Sequence, residues 1–130
     1  MDDYLRLYQT PELANPYILI GYRGWLNAGE LSTGTIDYLR RRLNARRLAS
    51  IDPQSFYIWQ VPGYDPAQIM RPHAIVEAGV VKSIDEPAND FYFWQSGTGN
   101  DLILFSGHEP NLAWPQFTQA ILSVAKHYRA

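Results

Sequence analysis

The chain has 130 residues, 46% hydrophobic and 14% aromatic, with a formal net charge of −2. That length suits a single domain, 1–130, that can bury a core but has little room for a second, and the composition is far from that of a disordered chain. The acidic balance gives no global attraction for nucleic acid, and the absence of cysteine excludes disulfides, thiolate metal sites and a cysteine nucleophile. The start, Met1-Asp2-Asp3-Tyr4, lacks the basic and apolar regions of a signal peptide, and no window approaches 18 apolar residues. The expectation is therefore a cytoplasmic protein with no membrane partner.

Tyr17–Ile20 reads as a buried strand. It leads through Gly21, Gly24 and Gly29 into a helix expected to begin near Asn27. Strand, glycine turn and helix start build sites in α/β proteins, because glycine admits close backbone approach and a helix start carries partial positive charge. The glycine spacing matches neither the dinucleotide fingerprint nor the phosphate loop. Asn27 and Glu30 have the spacing of a helix cap, and Leu31, Thr35, Leu39 and Leu43, with Tyr38 beside them, form a stripe expected to pack on a sheet. Gly34 is expected where helix and strand come close, and Asn44 stops the helix.

Leu48–Ile51 and Phe56–Trp59 read as two further strands separated by Asp52-Pro53. A β-meander follows: His73–Glu77, a turn at Ala78-Gly79, Val80–Ile84, Phe91–Trp94 and Leu102–Ser106. The last helix is predicted over Leu112–Tyr128, with Asn111 as its cap and Pro115 in its first turn. Its apolar stripe is Trp114, Phe117, Ile121, Val124 and Tyr128. Tyr128, third from the last residue, is expected to pack on this face and not to dock elsewhere.

Four ordered segments, GYRGWLNAGELSTGTIDYL, ARRLASIDPQSFY, MRPHAIVEAG and DLILFSGHEPNLAWPQF, resemble the proteasome assembly chaperone two-like family, its amino-terminal part, over about residues 16 to 125. The resemblance implies an α/β fold, a mixed sheet with packed helices similar to that of phosphorylases and related hydrolases. It also implies a non-enzymatic, chaperone-like role on a protein partner, with proteasome α subunits as the clients of archaeal and eukaryotic relatives. Members of that family are usually much longer. Homo-oligomerisation is expected, both for this reason and because dense aromatic runs such as Phe91–Trp94 need both faces covered or an interface.

Candidate binding residues are Arg23, Trp25, Asn27, Glu30, His108, Glu109 and Asn111, which follow strands and converge on the carboxyl edge of such a sheet. In the alternative reading, a small hydrolase or phosphorylase-like enzyme, His108, Glu109 and Glu30 would be the catalytic groups. In the purely structural reading, Asn27 and Asn111 are caps, while Gly29 and Gly107 hold glycine-only turn conformations. Ser106 lacks a nucleophile elbow, and His73, His108 and His127 lack metal-ligand spacing, so no metal and no cofactor are expected. Arg40, Arg41, Arg42, Arg46 and Arg47 crowd together, and they read as a solvated helix end more readily than as a nucleic-acid patch.

Overall fold

In a computed structural model, the described residues are 2–24, 27–58, 73–85 and 87–130. Five strands form a mixed sheet in the order β1-β3-β6-β7-β2: β1 (Leu5–Leu7), β3 (Arg46–Ile51), β6 (Asp90–Trp94), β7 (Leu102–His108) and β2 (Tyr17–Arg23). β2 and β7 are parallel, while β1–β3, β3–β6 and β6–β7 are antiparallel. By that chain of pairings β3 runs with β2, so α1 (Leu31–Arg42) is the crossover between two parallel strands. The second helix is α2 (Trp114–Tyr128).

Residue parity places the helices on opposite faces of the sheet. On β7, Ile103 and Phe105 join Phe117, Ala120, Ile121 and Val124 of α2 in the main core. Side chains alternate along a strand, so Leu104 and Ser106 face the other way, as does Gly21, which is paired with Ser106. A Cβ on Gly21 would lie 2.6 Å from Ile36 Cγ1 and 2.9 Å from the Ser32 carbonyl oxygen, which fixes α1 on that second face. The core on the α2 side is rich in aromatics: Phe105 stands 4.6 Å from Phe91 and 6.2 Å from Phe117, centroid to centroid, and Phe56 stands 5.1 Å from Phe117. Each such ring, fully buried, contributes about 1.5–3 kcal/mol.

Several expectations need correcting. Of the stripe Leu31, Thr35, Leu39 and Leu43 with Tyr38 beside it, the first half does not face the sheet: Leu31 is 72% and Tyr38 61% exposed, Thr35 is exposed, Leu39 and Leu43 are half-buried, and the buried residues of α1 are Thr33 and Ile36. Gly34 meets nothing within 4 Å of an added Cβ. The close approach of helix and strand is made by the strand's glycine, Gly21. Phe56–Trp59 does not form a strand among its described residues. A short 3-10 turn, Pro53–Ser55, capped by the Asp52 carboxylate accepting from Gln54 N–H at 3.0 Å, throws Phe56 and Tyr57 inward as single buried side chains; Trp59 lies outside the described residues. β4 (His73–Glu77) and β5 (Val80–Asp85) are no part of a meander with β6, because they form a separate two-stranded sheet. Its turn is at Ala78-Gly79 as expected, with φ of 50° and 75°, the mirror-image turn that suits strand twist. β1 was not anticipated, being only three residues long.

The two helix starts also differ from expectation. α1 is preceded by a 3-10 turn, Ala28–Glu30, with Gly29 at φ +57°, and the residue before α1 is a left-handed Glu30. Asn27 nevertheless serves the helix start: its Oδ1 accepts from Thr33 N–H at 3.0 Å and its Nδ2 donates to Thr33 Oγ1 at 2.8 Å. Asn111 does not cap α2, because a left-handed Ala113 stands at that position.

Substitutions at two glycines separate these readings. Gly21→Val should lower stability by about 1–3 kcal/mol through overpacking against α1, whereas Gly34→Ala should raise it by about 0.5–1 kcal/mol. Urea titration followed by circular dichroism measures both, and equal loss from the two variants would refute this placement of α1.

Candidate functional site

The parallel pairing of β2 with β7 sets Arg23 opposite His108 at the carboxyl ends of both strands. The start of β6 shares that edge, since Asp90 pairs with Ser106 on one side and Ser50 on the other. Strands β2, β7 and β3 thus deliver Arg23, His108 with Glu109, and Ser50–Asp52 to one rim, the usual place for ligands in open α/β sheets. β7 runs two residues further than predicted, so His108 closes a strand and does not stand in a turn.

Backbone bonds lock this rim. Glu109 N–H donates to the Arg23 carbonyl at 2.9 Å, and the Glu109 side chain lies so close over Gly24 that an added Cβ would come within 2.7 Å of its carboxyl carbon. Burial raises the pKa of the Tyr22 phenol above its ordinary value, and the negative charge of Glu109 adds to the rise. His108 N–H donates to Asn89 Oδ1 at 2.9 Å, and its Nδ1 lies 3.2 Å from the Ala88 carbonyl. A carbonyl only accepts, so Nδ1 carries the proton in this pair.

Beneath the rim sits a polar cluster that the sequence reading missed. The Tyr57 hydroxyl stands 2.8 Å from both Asn89 Oδ1 and the His108 carbonyl, sharing its one hydrogen between them. Burial holds this phenol neutral far above its ordinary pKa, the bond to Asn89 opposes the shift, and Tyr22 adds to it. Asn89 is 1% exposed, and its Nδ2 has no hydrogen-bond partner among the described residues. The same Asn89 lines an open recess of about 750 Å³ with Tyr8, Arg47, Ser50, Asp52 and Asp90. Gly107 belongs to this cluster for a steric reason and not for the turn conformation expected of it: an added Cβ would meet the Phe105 ring at 2.6 Å and Asn89 Oδ1 at 2.8 Å.

The structure therefore brings Arg23, His108 and Glu109 together and gives other duties to the rest. Asn27 holds the start of α1. Glu30 is exposed there, its N–H donating to the Asn27 carbonyl at 2.9 Å. Asn111 ties down the segment after the 3-10 turn, accepting from Ile58 N–H at 3.2 Å and donating its own N–H to the Phe56 carbonyl at 2.9 Å. Trp25 lies outside the described residues. Among those residues no group of three or more His, Asp or Glu is placed to hold a metal ion, and no helix is long and apolar enough to cross a membrane.

The arginine cluster is more than a solvated helix end. Arg40 lies over the Tyr92 ring at 5.0 Å, Arg46 over Phe93 at 4.5 Å and Arg47 over Tyr8 at 4.3 Å. Arg47 also pairs with Asp90 at 2.6 Å. These guanidinium groups cover two aromatic rings of β6 and that of Tyr8, just after β1, which ties their positions to the fold.

A mixed sheet with a helix on each face defines an α/β protein. Its sequence matches the model of the PAC2 family over residues 22–130, and the chain belongs to that family. Solved structures similar in fold include a Mycobacterium tuberculosis proteasome-assembly chaperone homologue (24% identity, TM-score 0.69, covering 86% of this chain and 44% of that one). A PAC2 family protein from Streptomyces avermitilis is similar at 24% identity and TM-score 0.66, with 86% and 45% covered. The Pyrococcus furiosus archaeal proteasome activator PbaB aligns at 20% identity and TM-score 0.67, with 97% and 47% covered. The chain thus spans less than half the length of each, and at these identities the likeness shows the fold alone. No curated protein matches the sequence.

The Tyr57 cluster yields a pH test. Its folded pKa is raised above the unfolded value near 10, so the stabilisation is fully present below about pH 10 and is lost progressively as pH rises from there toward the folded value. Tyr57→Phe should cost about 1 kcal/mol at pH 7 and flatten the alkaline fall in stability. Urea midpoints between pH 7 and 11 measure this, and an unchanged alkaline limb would contradict it.

Proposed function

We propose that the chain is a non-enzymatic, assembly-chaperone-like module in the cytoplasm, working as a homo-oligomer and binding a protein partner at the rim of Arg23, His108 and Glu109. Membership of the PAC2 family carries the reading. The geometry supports it because His108 and Glu109 are committed to backbone and packing contacts, while Arg23 is exposed and presents a charge that a docking protein can meet. Proteasome α subunits are the proposed clients, a choice supported by the words proteasome-assembly chaperone homologue and proteasome activator that describe two solved relatives.

Gel filtration of the chain with isolated α subunits should show co-elution. Arg23→Glu should weaken that binding at least tenfold without moving the thermal midpoint, since a rim charge acts on encounter and not on folding. Turnover of a phosphate or acyl ester substrate that His108→Ala abolishes, with no α-subunit binding, would replace this reading with the hydrolase or phosphorylase alternative.

A further inference from the structure

The two edges of the sheet differ in kind. β1 is three residues long and centred on Arg6, which is how natural proteins guard an edge. At the other end, β2 runs seven residues, Tyr17–Arg23, with a charge only at its last position, and among the described residues no strand lies beyond it. Tyr17 is 65% and Ile20 45% exposed. A groove of about 280 Å³ beside this edge is lined by Leu19, Ile20, Ala28, Leu31 and Thr35. Such an edge is a template for another strand.

Hydrogen-bond direction shows which backbone groups are available. Tyr17 N–H donates to the Asp101 carbonyl, and Glu109 N–H donates to the Arg23 carbonyl. In a parallel ladder the odd residues of β2 therefore turn both polar groups toward β7, and Ile18, Ile20 and Tyr22 turn theirs outward. The Tyr22 N–H is taken by Ser32 Oγ at 3.0 Å, which confirms its outward direction. The N–H and C=O of Ile18 and Ile20, with the C=O of Tyr22, remain for a neighbour.

The geometry points to a second copy of this chain as that neighbour, its β2 antiparallel to the first across a two-fold axis at Ile20. That register pairs Ile20 with Ile20, Ile18 with Tyr22, Leu19 with Gly21 and Tyr17 with Arg23 of the second copy. Every outward residue meets an outward residue, so the available groups exchange four hydrogen bonds and Ser32 keeps its own. Leu19 falls opposite the residue with no side chain, and the single charge meets an aromatic ring. No like charges oppose. Both α1 helices lie on one face and run antiparallel, which brings the acidic Glu30 of one to the level of the arginine-rich end, Arg40–Arg42, of the other. Isologous closure of this kind makes a dimer with a continuous sheet.

The inference rests on the homo-oligomer reading above and names its interface. Light scattering at about 50 µM should give twice the 14.9 kDa chain mass. Ile20→Pro removes an outward N–H that β7 does not use, so it should give a monomer with the parent circular dichroism, at least tenfold weaker in association. Leu19→Pro removes an inward N–H and should unfold the chain. The chain has no cysteine of its own, so Ile20→Cys should form a covalent dimer with a short bis-maleimide, and Tyr17→Cys should not. A monomeric parent would overturn both readings. A parent dimer that survives Ile20→Pro and does not cross-link through Ile20→Cys would overturn only this interface. Should Ile20→Pro fail to fold, the cross-linking pair decides alone.

Discussion

The parallel pairing of β2 with β7 is the constraint on which the rest depends. With β7 antiparallel to β6 and β6 antiparallel to β3, that pairing also makes β3 run the same way as β2, so the chain must leave β2, cross a face of the sheet and re-enter in the same direction, and α1 is that crossing. Parallelism also brings the carboxyl ends of both strands to one rim, which is why Arg23 and His108, far apart in sequence, stand opposite each other. Because β7 is covered on both faces, its residues read as an almost unbroken apolar run, Leu102-Ile103-Leu104-Phe105. The close seat of α1 on Gly21 and the packing of α2 on Ile103 and Phe105 are two sides of the same strand pair.

A buried polar cluster helps to hold the rim in shape. Asn89 Oδ1 receives Tyr57 and the His108 N–H, so one side chain orders the end of β7 and the segment before β6 together. In a low-dielectric setting such bonds are strong when made and costly when lost. The same residue keeps a buried amide donor with no partner among the described residues, and it lines the recess. The electrostatics of the rim follow from this arrangement: Glu109 lies against Gly24 and bears on Tyr22, while Arg23 and Asp52 are exposed.

Much of the fold was legible in the sequence because it is written in local signals. β-branched and aromatic runs marked β2, β3, β6 and β7, and Ala78-Gly79 marked a hairpin turn. The four ordered segments identified the family before any geometry was known. The failures have a shared physical cause. Leu31, Thr35 and Tyr38 have helical spacing, but which face of α1 is buried depends on where the strand's glycine lets the helix settle. Phe56 and Tyr57 have strand propensity, but Asp52 and Pro53 start a 3-10 turn first. Asn111 has the chemistry of a cap and uses it on Ile58, and Asn89, just before β6, carries no local signal until Tyr57 arrives from 32 positions away. Of the proposed site, Arg23, His108 and Glu109 were reachable from strand ends alone; Asn89 and Tyr57 required the tertiary structure.

The bond from Ser32 Oγ to Tyr22 N–H has a consequence for aggregation. An unprotected apolar strand edge is the seed from which cross-β fibres grow, since each added strand exposes a fresh edge identical to the last. Here the helix reaches down and occupies one backbone donor near the end of β2, so a strand arriving in an arbitrary register finds that donor unavailable. The short, arginine-bearing β1 at the far side of the sheet gives an incoming β2 little to extend. Growth along the hydrogen-bond direction is thereby discouraged at both borders of the sheet that the described residues form.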